Sequence, residues 1–93
     1  MITQVITNRV KPGAQRQYIA ISKAFCKAMV ERDGCLESNV FLDKDCDTNI
    51  VNVVKWNTVE EAEAFLQSDT CKEFFPQFHD LFEGNTTLVL EPV

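Results

Sequence analysis

Ile50-Val51-Asn52-Val53-Val54-Lys55-Trp56 runs directly into Asn57-Thr58-Val59-Glu60-Glu61-Ala62. The change of character at Asn57 decides the fold. The first seven residues are rich in β-branched side chains and read as a strand. Ile50 and Val54 fall on one side of it, Val51 and Val53 on the other. Thr58 then opens a helix. Its hydroxyl can accept from the backbone N–H three residues on, and Glu61 can reach back to the Thr58 N–H, which makes a capping box. A strand that is apolar on both sides needs cover on both sides, and its own helix can supply only one of them.

Working toward the N-terminus, residues 35–43 alternate as a second strand, with Leu36, Ser38, Val40 and Leu42 against Cys35, Glu37, Asn39 and Phe41. The polar stretch Asp43-Lys44-Asp45-Cys46-Asp47 joins the two strands as a hairpin loop. Before it, Tyr18, Ile21, Phe25, Ala28 and Met29 recur at helical spacing from Ala14 onward, and Asp33-Gly34 is the expected stop. Residues 2–10 alternate as a first strand, which Pro12-Gly13 breaks. Working toward the C-terminus, the helix opened by Thr58 continues through Ala62, Phe65 and Leu66. Ser68-Asp69 caps a second helical stretch with Phe74, Phe75, Phe78 and Phe82, a kink or restart is expected at Pro76, and Gly84 is the expected end. Thr86–Leu90 is the last strand.

The order is β-α-β-β-α-β, an α+β arrangement. Two interleaved split β-α-β units give a four-stranded antiparallel sheet with helices on one face, the ferredoxin-like fold, in one domain over residues 1–93. Strands two and three carry apolar residues on the uncovered side as well, so the expectation is a homodimer. Two four-stranded sheets would then face one another as an eight-stranded dimeric α/β-barrel.

Composition narrows the function. The chain has 93 residues, 45% hydrophobic and 25% charged, with a net charge of −5. That is a globular mixture, and its acidic balance argues against nucleic acid as a partner. No apolar run approaches the roughly 20 residues a membrane span needs, and no signal peptide opens the sequence, so the expected location is the cytoplasm. Cys26, Cys35, Cys46 and Cys71 are widely spaced, with no short-spaced pair to suggest a metal site, and read as free thiols.

A few residues stand out as chemistry. His79 is the one histidine, so any imidazole proton transfer falls to it. In a continued helix it would share a side with Phe75 and Phe82. Asn8 lies mid-strand between Ile6 and Val10, where its amide must find partners or bind a substrate carbonyl or dioxygen. Asn39 and Asn52 are weaker cases of the same kind. Trp56 is a core anchor or a wall for a flat substrate. Phe65, Phe75 and Phe78, with the Tyr18 hydroxyl at the mouth, suggest an apolar pocket between helices and sheet for a small apolar or aromatic ligand.

The element order, the strand end Val53-Val54-Lys55-Trp56 and the following Glu60-Glu61-Ala62-Glu63-Ala64-Phe65-Leu66-Gln67-Ser68 resemble the antibiotic biosynthesis monooxygenase family. The resemblance implies the dimeric ferredoxin-like barrel along the whole chain. It also implies cofactor-independent oxidation of a quinol or phenol by dioxygen, with neither cofactor nor metal; for that chemistry the residues singled out above, Asn8, Trp56 and His79, are the expected orienting donor, stacking wall and proton handler. The departures are specific. Many relatives carry an acidic residue where this chain has Val54, and histidines where it has Phe65 and Thr70. Haem-degrading relatives resemble it at Asn8 but ligate iron with a histidine where Phe75 stands, so the axial ligand is missing. A non-catalytic dimer that binds a small ligand or serves a stress role is the alternative these departures suggest.

Overall fold

The structure is a computed structural model that describes residues 1–93. Seven elements follow one another: β1 (Ile2–Val10), α1 (Gln15–Met29), β2 (Cys35–Leu42), β3 (Asn49–Trp56), α2 (Val59–Phe65), α3 (Asp69–Phe78) and β4 (Phe82–Leu90). The strands form one antiparallel sheet in the order β2-β3-β1-β4. Its helices lie on one face, as the ferredoxin-like order requires. No helix is long and apolar enough to cross a membrane.

Local chemistry sets the boundaries, in places differently from the sequence pattern. α1 ends at Met29, short of Asp33-Gly34, because successive turns close over residues 30–32 through N–H groups bonded to Cys26, Ala28 and Met29 carbonyls. Gly34 does adopt a left-handed φ of 90°, but at the entry to β2. There the Glu61 side chain packs against it and leaves no room for a Cβ. Thr58 caps α2 by accepting from the Glu61 N–H at 3.1 Å, and its hydroxyl donates to the Glu61 carboxylate at 2.9 Å. The return bond of the capping box is thus made side chain to side chain. Ser68 caps α3, accepting from the Cys71 N–H at 3.3 Å. α3 continues through Pro76 and stops two residues later. Pro76 and Lys72 are exposed, so water can serve the Lys72 carbonyl that proline leaves unbonded. Gly84 lies within β4 rather than after a helix, and Phe82 opens that strand.

Pairing sorts the strand residues into two faces. On the helix side lie Ile2, Gln4, Ile6, Asn8 and Val10 of β1 with Ile50, Asn52, Val54 and Trp56 of β3. A bulge between Cys35 and Glu37 brings Cys35 opposite Trp56, where it packs on the core, and leaves Leu36 exposed. The alternation expected for β2 is therefore out of phase at its first residue. The core is split into two clusters. Ile2, Met29, Val54, Trp56, Ala62, Phe65 and Cys71 form one, and Val10, Tyr18, Ile50 and Phe78 form the other.

The opposite face carries a diagonal apolar band. Pairing aligns Phe41 with Val51, Val53 with Val5, and Val5 with Leu88, with Leu90 one position along on the same side. Glu37 and Lys55 close one corner with a 2.9 Å ion pair. Phe41, Leu88 and Leu90 are exposed.

Candidate functional site

The two apolar clusters are separated by a polar seam, and the candidate site is built from it. α1 turns Tyr18, Ser22, Cys26 and Met29 toward the sheet at helical spacing, and all four are buried. Tyr18 belongs to one cluster and Met29 to the other, with Ser22 and Cys26 between them. Beneath, Asn8 of β1 and Asn52 of β3 interrupt the apolar side of their strands. Asn8 is 3% exposed. Its Nδ2 donates to the Ile50 carbonyl at 3.0 Å and to Asn52 Oδ1 at 2.8 Å. The Asn52 Nδ2 is directed at Cys26 Sγ, 3.9 Å away. The hydroxyls of Ser22 and Ser38 are buried and find no partner. A polar layer of this kind inside a small core is destabilising unless its groups are satisfied.

The helices cover the seam unevenly. On β4, Asn85, Thr87 and Val89 face the helix side, opposite Asn8, Ile6 and Gln4, and all three are exposed. The β1/β4 half of that face is open, and Asn8 sits at the edge of the covered half. Aromatic rings pack beside it. Tyr18 stacks against Phe78 and Phe82 at centroid distances of 4.9 and 5.9 Å. Phe25 touches four other rings, Phe65, Phe74, Phe75 and Phe78, at 5.0–6.0 Å.

The residues singled out in the sequence fall into three places. Asn8, Tyr18 and Phe78 lie together around Ile50. Trp56 and Phe65 are in ring contact at 5.3 Å and reach an open recess of about 450 Å³ that Glu31, Arg32, Asp33, Glu61 and Ala64 also line. The Trp56 indole N–H donates to Gln4 Oε1 at 3.0 Å, which ties it to the core. His79 lies at the surface with its side chain 84% exposed and Nδ1 3.2 Å from Asp80. It borders a shallow recess of about 460 Å³ with Phe75, Pro76 and Asp80. Because α3 ends at Phe78 and Phe82 belongs to β4, the helical phase that would have set His79 beside Phe82 is absent. Asn8 lines neither recess. Asn39 lies on the opposite face of the sheet, beside Val53.

Burial shapes the titrating groups near the seam. Desolvation pushes Tyr18 up to about 12, so its hydroxyl stays protonated past the ordinary value near 10. Burial also raises the Cys35 and Cys71 thiols, which disfavours their nucleophilic form. The site therefore offers apolar walls, hydroxyls and carboxamides, and no poised base. Ser22, Cys26 and Phe25 were not among the predicted site residues. For Ser22 and Cys26 the available signal was their place at successive four-residue steps from Tyr18, which hydropathy alone passes over.

The comparisons with known proteins agree with this architecture. The family model for antibiotic biosynthesis monooxygenase matches residues 1–77. A conserved protein from Methanosarcina mazei superposes with a TM-score of 0.88 at 19% identity, over 96% of this chain and 89% of that one. A solved antibiotic biosynthesis monooxygenase gives 0.90 at 14% identity, over 100% and 99%. A protein from Mycobacterium tuberculosis gives 0.88 at 16%, over 99% and 94%. At these identities the superpositions speak for the fold. No curated protein is similar enough in sequence to match.

Proposed function

Since the chain belongs to the antibiotic biosynthesis monooxygenase family, we propose that it is a cofactor-independent monooxygenase that oxidises a small quinol or phenol with dioxygen, as a cytoplasmic homodimer. The supporting observation is the Asn8 carboxamide, held rigidly at the edge of an aromatic and aliphatic wall that is open along β1 and β4. In such chemistry the substrate supplies all the electrons. A phenol and one dioxygen give the corresponding quinone and one water, one oxygen atom entering the ring and the other leaving as water. The protein's contribution is orientation and exclusion of bulk water. Asn8 orients the substrate oxygen, and Tyr18 and Phe78 hold the ring, while Phe75 stays at the outer recess beside His79. Trp56 and Phe65 brace the far cluster. His79 stands in solvent beside Asp80 and apart from Asn8, so the proton released as the substrate ionises passes to water.

The test is oxygen uptake with a panel of phenols and quinols, without added flavin or metal. Turnover above buffer supports the reading, and its absence for every substrate refutes it. A second reading, a dimer that binds a small apolar ligand without turnover, is favoured by the exposure of the one histidine at the surface, where it borders a recess that Asn8 does not line. A metabolite retained in native mass spectrometry, with no oxygen consumed, would select it.

A further inference from the structure

We propose that the Asn8–Asn52 pair makes the site an acceptor, selective for aromatic ligands that present a neutral hydroxyl, with Asn52 as the positioning residue that fixes the direction of the Asn8 amide. This rests on the reading of the Asn8 wall as the ligand site.

The orientation of Asn8 follows from its partners. Its Nδ2 faces the Ile50 carbonyl at 3.0 Å and Asn52 Oδ1 at 2.8 Å, with the Ile6 carbonyl at 3.5 Å. All three are acceptors. Turning the amide over would set Asn8 Oδ1 against the Ile50 carbonyl oxygen at the same separation, lone pair against lone pair. Both N–H groups are thus committed inside the chain, and Oδ1 is what remains. It accepts from no group of the protein, yet the sealed orphan atoms are only the Ser22 and Ser38 hydroxyls, so Asn8 Oδ1 keeps access to the outside. Across the pairing with β4, Asn85 stands opposite Asn8 and is exposed.

A ligand oxygen arriving there meets an acceptor flanked by Tyr18, Phe78 and Ile50. A hydroxyl donates to it. A carbonyl, an ether or a phenolate oxygen cannot, and leaves the amide oxygen desolvated and unpaired. The ring therefore docks with this hydroxyl still protonated, and an ionisation that precedes attack on dioxygen takes place at another oxygen of the ligand or after docking. Asn52 matters because its Oδ1 is the side-chain acceptor that holds Asn8. Without it one N–H of Asn8 loses its partner, and only the backbone carbonyls of Ile50 and Ile6 hold the amide in place.

The experiment compares 1-naphthol with 1-methoxynaphthalene, an acceptor-only analogue of similar shape, binding to the intact chain, read by chemical-shift titration. The naphthol is expected to bind about tenfold more tightly or better. In Asn52→Leu the preference is expected to shrink to within about twofold, and in Asn52→Asp, which keeps an acceptor toward Asn8, to persist. Equal binding of the two probes by the unaltered protein overturns the proposal and leaves the aromatic site standing. Failure of both probes to bind overturns the two together. Loss of preference in Asn52→Asp removes Asn52 from its role. If Asn52→Leu does not fold, the unaltered chain and Asn52→Asp still decide.

Discussion

The sheet face opposite the helices allows a quantitative prediction, because its apolar band lies beside polar corners and no element of the chain covers it. Leu88 is 61% exposed there, Phe41 54% and Leu90 48%. Burying a whole Leu or Phe side chain is worth roughly 1.5–3 kcal/mol, so sealing the remaining exposure of Leu88 stabilises a dimer by about 1–2 kcal/mol per copy. A two-fold interface uses each residue twice, which raises this to about 2–4 kcal/mol. Leu88→Asp forfeits that and sets two carboxylates in an apolar interface. The dissociation constant should rise by between about 30- and 700-fold. Leu66→Asp is the control, since Leu66 is similarly exposed at 58% but lies at the end of α2. Sedimentation equilibrium at micromolar concentration reads the result. The unaltered chain and Leu66→Asp should sediment as dimers, and Leu88→Asp as a folded monomer. A monomeric unaltered chain, or a Leu88→Asp dimer of undiminished affinity, would refute the reasoning.

Three further outcomes follow from the interior. Gly34→Ala should lower stability by about 2 kcal/mol or more, from left-handed strain of roughly 1–2 kcal/mol plus displacement of Glu61. Gly13→Ala, at φ 91° with open space around it, should show the strain alone, and equal losses in the two thermal melts would contradict this. Ser22→Ala removes a buried hydroxyl without a partner, so it should raise the urea midpoint by the equivalent of about 1 kcal/mol; a clear loss of stability would show that the hydroxyl is satisfied. Tyr18 is raised to about 12 in the folded chain. Its contribution is therefore complete below its ordinary value near 10 and disappears as pH rises from 10 toward 12. Urea unfolding across that interval should weaken more steeply for the unaltered chain than for Tyr18→Phe, and parallel curves would count against the shift.

How much of this was legible beforehand depended on what kind of signal each residue carried. Strands β1 and β3 were readable from their β-branched residues and β2 from its alternation, with ends marked by Pro12-Gly13, the acidic loop and Trp56. Ser68 and Thr58 were readable as caps because capping is local chemistry. The start of β4 was not. Phe82 continues the phenylalanine spacing of α3, and only the turn at His79–Leu81, closed by the Leu81 N–H on the Phe78 carbonyl at 2.9 Å, breaks the phase. That one misphasing also misplaced His79. The bulge at Leu36 left no mark in the alternation, because both of its phases contain apolar residues. The seam was half legible. Asn8 was conspicuous as an amide in an apolar strand, whereas Ser22 and Cys26 are small enough to pass as surface positions until the sheet beneath them is known.

The free face and the candidate site are linked through β4. This strand pairs only with β1, and from Asn85 to Leu90 every residue is exposed. Its two sides serve different surfaces: Leu88 and Leu90 point into the apolar band, while Asn85, Thr87 and Val89 wall the open half of the site beside Asn8. Local opening is favoured where burial is low, and the ladder to β1 is what holds β4 against it. A partner seated on Leu88 and Leu90 would bury one side of β4 and suppress that opening, and the wall facing Asn8 would become fixed by the same contact. Association would then prepare the ligand site without the partner touching the ligand. A pocket half-built on an edge strand has a physical reason to be found in a dimer, and the exposure of β4 in the isolated chain is that reason stated in residues.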